Sequence, residues 1–158
     1  MKYEILMAAI IAAKEALTGY TMSVKESIAK KSEENLLQIA QYIHTFLKGT
    51  GFMPIHFSYC NILLDSDSPW KAYGEEFNAD LQVICKGTLL RVYFNKDRFI
   101  IIGNTSPEAL YLLCEQWKGF KQCLNEEVEK QLAEQVSDIE KAAEHYAHMQ
   151  EVINNFQI

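Results

Sequence analysis

Residues 77–94 read "FNADLQVICKGTLLRVYF", and the way this stretch alternates decides the fold. Phe77, Ala79, Leu81, Val83 and Cys85 fall on one side and Asn78, Asp80, Gln82 and Lys86 on the other, the period of a strand with one buried face. Lys86-Gly87 supplies a two-residue hairpin turn into "TLLRVYF". Pairing Cys85 with Thr88 sets Val83 opposite Leu90, Leu81 opposite Val92 and Ala79 opposite Phe94, all apolar. The other face pairs Gln82 with Arg91 and Asp80 with Tyr93. A slip of one residue would bury Asp80, so the pattern fixes the register.

Working outward, a turn at Asn95-Lys96 leads into "RFIII" and keeps Phe99 and Ile101 on the side of Leu90 and Val92. Upstream, "IHFSYCNILL" at 55–64 is expected as the first strand. The result is a four-stranded antiparallel meander whose apolar face needs a cover of flanking helices.

Two N-terminal helices are expected. Tyr3, Leu6, Met7, Ile10, Ile11 and Leu17 fall mostly on one helical face, read as core-facing, and Thr18-Gly19 provides a stop. Ser23 stands three residues before Glu26, a capping box for a second helix whose stripe runs from Val24 to Leu47 and ends at Gly49. The third block opens at "NTSPEAL", with Thr105 three residues before Glu108 and Pro107 suited to a first turn. Apolar positions 110, 113, 117, 120 and 124 step by three and four. Leu124, Val128, Leu132 and Val136 then step by four, which rotates the stripe, and heptad-like spacing resumes through Ile139, Ala143, Tyr146 and Ile153. A single helix here would be about 75 Å long at 1.5 Å per residue, so a break is expected near 119–125, at Gly119 or at Asn125 before Glu126 and Glu127. The expected architecture is one α+β domain over 1–158: helical at 1–48, sheet at 55–103, and a long acidic helical segment at 106–156 that is open to pairing as a homodimer.

The net charge of −6 is unevenly placed. Residues 107–158 hold four lysines against ten acids, while 1–48 and 49–106 are nearly balanced. An acidic surface repels phosphate backbones, which disfavours nucleic acid, and it suits a protein partner with a basic surface. The apolar run Ile5 to Ala13, closed by Glu4 and by Lys14-Glu15, is too short to span a bilayer. Cys60, Cys85, Cys114 and Cys123 form no C-x-x-C pair and are expected as buried free thiols in a reducing cytosol. A cytoplasmic protein without a membrane segment is the expectation.

Chemistry leaves few marks. There is no glycine-rich phosphate loop, no G-x-S-x-G and no H-E-x-x-H, so catalysis has no positive signal and no cofactor is expected. His145 and His148 share a helical face, but two ligands on one helix do not make a metal site. The leading expectation is a non-catalytic protein-binding module of adaptor, chaperone or inhibitor type. Its contact residues would be Trp70 and Tyr73 on the 65–80 loop, Asp80, Arg91 and Tyr93 on the solvent-facing sheet, and Glu126, Glu127 and Glu134 on the acidic segment. An alternative is a Mg²⁺-dependent phosphodiester or phosphate hydrolase using Asp65, Asp67 and Asp80, although the residue two before Lys86 is Ile84 where such enzymes place an acid. A second alternative is a single-strand nucleic-acid binder that stacks bases on Tyr93 and Arg91.

Overall fold

The computed structural model describes residues 2–66, 69–72, 74–103 and 106–158. The chain divides into two compact units, residues 1–117 and residues 118–158. Its elements in order are α1 (Lys2–Gly49), β1 (His56–Tyr59), β2 (Ile62–Asp65), β3 (Trp70–Ala72), β4 (Glu75–Phe77), β5 (Ala79–Cys85), β6 (Thr88–Phe94), β7 (Phe99–Ile102) and α2 (Pro107–Asn154). The fold is α+β, with an antiparallel sheet between a long N-terminal and a long C-terminal helix.

The sheet has five strands in the order β1-β2-β5-β6-β7, and β3-β4 form a separate two-stranded pair. The β5–β6 register is the one that the alternation requires, from Ala79 opposite Phe94 to Cys85 opposite Thr88. At the hairpin turn Lys86 and Gly87 both take positive φ, 43° and 79°, as a type I′ turn needs. Ile62, Leu64, Leu81, Val83, Leu90 and Val92 are fully buried on one face. On that face lie Leu36, Ile39, Ala40, Ile43 and Leu47 of α1, each 5% exposed or less. The His44 ring fixes the contact, 5.9 Å from Phe99 and 6.3 Å from Phe94. Ala109, Leu110 and Leu113 of α2 are also buried, and Trp117 meets Tyr42 edge-on at 5.2 Å.

Four expectations are corrected. The sheet has a fifth strand because residues 55–64 are a hairpin, with Cys60 at φ 50° in its turn. No glycine marks that turn. It is held by Asn61, whose Nδ2 donates to the Ile84 carbonyl at 2.9 Å, and by Gln116, which exchanges bonds with the Asn61 backbone and side chain at 3.0 Å each. Secondly, Phe77 belongs to β4 and not to β5. A bend at Asn78, whose N–H donates to the Phe94 carbonyl at 2.9 Å, reverses the parity, and the fully buried Phe77 ring packs 5.7 Å from Tyr93.

Thirdly, the N-terminus is one helix, not two. Thr18 donates back to the Lys14 carbonyl at 2.8 Å in place of capping a stop. Gly19 costs about 1 kcal/mol in a helix interior, which is less than ending one helix and nucleating another. The N-terminal part of α1 is also not core-facing: every residue from Lys2 to Tyr20 is exposed. A sheet of five strands is roughly 25 Å across, whereas 48 helical residues extend about 72 Å, so the sheet covers only part of α1. Fourthly, α2 runs without a break through 119–125. Asn125 donates from Nδ2 to the Lys121 carbonyl at 2.9 Å and so serves the helix it was expected to end. Within the second unit Phe120 and Leu124 are fully buried and Val128 is 5% exposed.

Candidate functional site

Register aligns His56, Asp65, Asp80 and Tyr93 in one row across the outward face of the sheet, with Ser58, Leu63, Gln82 and Arg91 in the next. The strand period brings these polar groups together. Asp80 Oδ2 accepts from Gln82 Nε2 at 2.6 Å and lies 3.7 Å from Arg91 Nε. Arg91 Nη1 donates to the Tyr93 hydroxyl at 2.9 Å, and the guanidinium carbon sits 5.7 Å from the Tyr93 ring centre. At the edge, His56 Nδ1 is 3.5 Å from Asp65 Oδ2. Burial pushes the Asp80 carboxyl above its ordinary value; the Gln82 bond and the Arg91 charge oppose this, and the Asp65 charge reinforces it.

Asp80, Arg91 and Tyr93 therefore form one cluster, as the sequence placed them. Tyr93, however, is only 6% exposed beneath Phe77, so little ring surface faces outward for a base to stack on. Asp65 and Asp80 are cross-strand partners, but the Asp80 carboxylate is engaged by Gln82 and Arg91. Asp67 and Tyr73 lie outside the described residues, as does the side chain of Trp70. Among the described residues no three His, Cys, Asp or Glu side chains gather as a cation site would need.

Beside the cluster stands a second polar centre that the sequence reading missed. Asn95, 5% exposed, accepts at Oδ1 from the Asp97 and Arg98 N–H groups at 2.9 Å each and donates from Nδ2 to Glu75 at 2.7 Å. Its own carbonyl accepts from Nε2 of the buried His44 at 2.8 Å. Arg98 forks onto the Glu75 carboxylate, and these bonds, Arg98 first and Asn95 second, hold the Glu75 pKa below its ordinary value. The asparagine so joins α1, the β6–β7 turn and β4. Its only sequence signal was its place in a turn.

Glu126, Glu127 and Glu134 lie on α2 within the second unit. Gln122 donates to Glu126 at 3.4 Å and Gln131 to Glu127 at 3.2 Å, which are bonds along one helix face. The same segment carries Leu132, Val136, Ile139, Tyr146 and Ile153 at between 47% and 69% exposure. In the first unit, Tyr3, Leu6, Ile10, Leu17 and Tyr20 of α1 are between 44% and 80% exposed. The N-terminal part of α1 is also long and apolar enough, by length and composition, to cross a membrane.

Two grooves border α1 in the first unit: one of about 330 Å³ lined by Gln38, Tyr42, Cys114 and Trp117, and one of about 390 Å³ lined by Lys25, Ile28, Ser32 and Leu110. Glu33 and Glu108 also line the second groove, and among the described residues no hydrogen bond couples either carboxylate to Ser32 as an activated nucleophile would need. Among the described residues the geometry thus consists of a polar sheet face bonded within itself except at Arg91 Nε, which is buried without a hydrogen-bond partner, and of two exposed apolar helix faces; the chain matches no protein-family model, no curated protein and no solved structure.

Proposed function

We propose that the chain is a non-catalytic protein-binding module of adaptor, chaperone or inhibitor type that acts through its acidic C-terminal helical surface. The exposed apolar series on α2 carries this reading: Ile139 and Tyr146 keep 69% and 67% of their surface exposed. Soluble monomers rarely leave a contiguous apolar stripe uncovered, and an amphipathic helix laid into an apolar groove is a recurring recognition mode. Residues 129–158 hold six acids against two lysines, so a groove with a basic rim is the complementary surface. The Asp80 cluster supports the same reading, because its carboxylate is already bonded within the sheet and makes a poor metal ligand.

The test compares quantitative capture by the wild-type chain with capture by a Val136→Ser, Ile139→Ser, Tyr146→Ser variant. The proposal expects a bound protein that the variant loses and that rising salt weakens. Identical captures by the two chains would remove it.

A further inference from the structure

Resting on the reading of α2 as a binding surface, we propose that its partner is a second copy of this chain: the N-terminal half of α1 from one copy packs antiparallel against the C-terminal half of α2 from the other. From Tyr3 to Val24, α1 repeats apolar residues at alternating steps of three and four, the a and d positions of a heptad. From Leu132 to Ile153, α2 does the same, interrupted only by Gln150. Each series spans 22 residues, about 33 Å of helix. Both are unsatisfied in the single chain, with Ile10 44% and Ile139 69% exposed.

The two series complement each other and not themselves. The α1 series begins and ends on an a position, and the α2 series begins and ends on a d position. In an antiparallel pair each a layer faces a d layer, so α1 against α2 uses every position, from Tyr3 opposite Ile153 to Val24 opposite Leu132. Either series against its own copy leaves an end unmatched. In this register Ala13 meets Ala143 at the centre, and Leu17 with Ile139 and Ile10 with Tyr146 fill the adjoining layers.

Charge selects the same arrangement. The positions flanking the two seams carry only Lys2, Lys14 and Glu140 as charged residues, and this register sets Lys14 directly across from Glu140. Residues 2–31 hold five lysines and three glutamates, against the acidic excess of 129–158. Pairing α2 with its own copy would instead bring two acidic segments together.

The experiment measures the mass of the full-length chain by sedimentation equilibrium across a concentration series at low salt. Its variants are Lys14→Glu, Glu140→Lys and the double exchange. A concentration-dependent dimer is expected; each single exchange raises its dissociation constant by about fivefold, and the double exchange restores it. In a Cys60→Ser, Cys114→Ser background, an Ala13→Cys chain mixed with an Ala143→Cys chain forms a disulfide-linked dimer on mild oxidation.

A dimer weakened by Lys14→Glu but indifferent to Glu140→Lys would mean that α1 pairs with itself, and would overturn the proposal. So would a monomer that floats with phosphatidylcholine vesicles, which would assign the α1 face to lipid. A monomer that still captures another protein through Ile139 and Tyr146 removes the second copy but leaves the binding function standing. A monomer with no such partner removes both.

Discussion

Ile43 and Ile10 are the same residue type on the same helix, each within an apolar series of helical period. One is fully buried and the other is 44% exposed. The contrast teaches that periodicity states which face of a helix seeks cover, and that the reach of the neighbouring sheet decides whether the chain provides it. Ile43 lies on the part of α1 that the sheet covers, whereas among the described residues none buries Ile10.

That contrast can be broken most directly by truncation. Ile43→Ala should cost about 2–5 kcal/mol, read as a lower urea midpoint, because a buried isoleucine leaves both lost transfer energy and a cavity. Ile10→Ala should change the unfolding free energy by less than about 0.5 kcal/mol at concentrations too low for association. Equal losses would mean that the N-terminal half of α1 is covered within the single chain.

Asn95→Ala comes next, with an expected loss of about 2–3 kcal/mol. It strips the Asp97 and Arg98 N–H groups of their acceptor and removes the Nδ2 bond to Glu75. A thermal melt that matches wild type would show that the junction of α1, β4 and the β6–β7 turn does not depend on this side chain.

A smaller effect in the opposite direction belongs to the exposed half. Nothing lies within 4 Å of a Cβ added at Gly19, so Gly19→Ala should strengthen the local helix by about 1 kcal/mol. Amide exchange around the substitution should slow about fivefold while the global melt barely moves.

The smallest expected effect is on the polar sheet face and depends on pH. The folded-state pKa of Asp80 is raised above 3.8 chiefly by burial, so the native state holds this proton more tightly than the unfolded chain does. Stability from this group is therefore highest at low pH and falls as pH rises from 3.8 through the raised value. Asp80→Asn should raise the Tm at neutral pH, and the gain should fade on acidification. A gain that is constant with pH would contradict the stated cause.

How legible each part was follows from where its determinants sit. The β5–β6 hairpin was legible because seven residue pairs and a Lys86-Gly87 turn all constrain a single register. The Cys60-Asn61 turn was not: its conformation is held by Gln116, 55 residues away, and no glycine announces it. The stop signals at Thr18-Gly19 and at Asn125 are genuine local preferences, but each is worth about a kilocalorie, and a helix already under way overrides them. In the candidate site, Asp80, Arg91 and Tyr93 were readable together because strand parity places them on one face. The cover that Phe77 lays over Tyr93 was not readable, since the bend at Asn78 inverts the parity just before β5.

The amino-acid order by itself determined the β5–β6 register, the polar and apolar sides of those two strands, and the apolar faces of both helices, because each follows from a period that neighbouring residues share. Only the tertiary structure decided how far each helix runs, where the sheet gains its fifth strand, and which apolar faces remain uncovered. These outcomes depend on the reach of one element over another and on contacts between residues far apart in the chain.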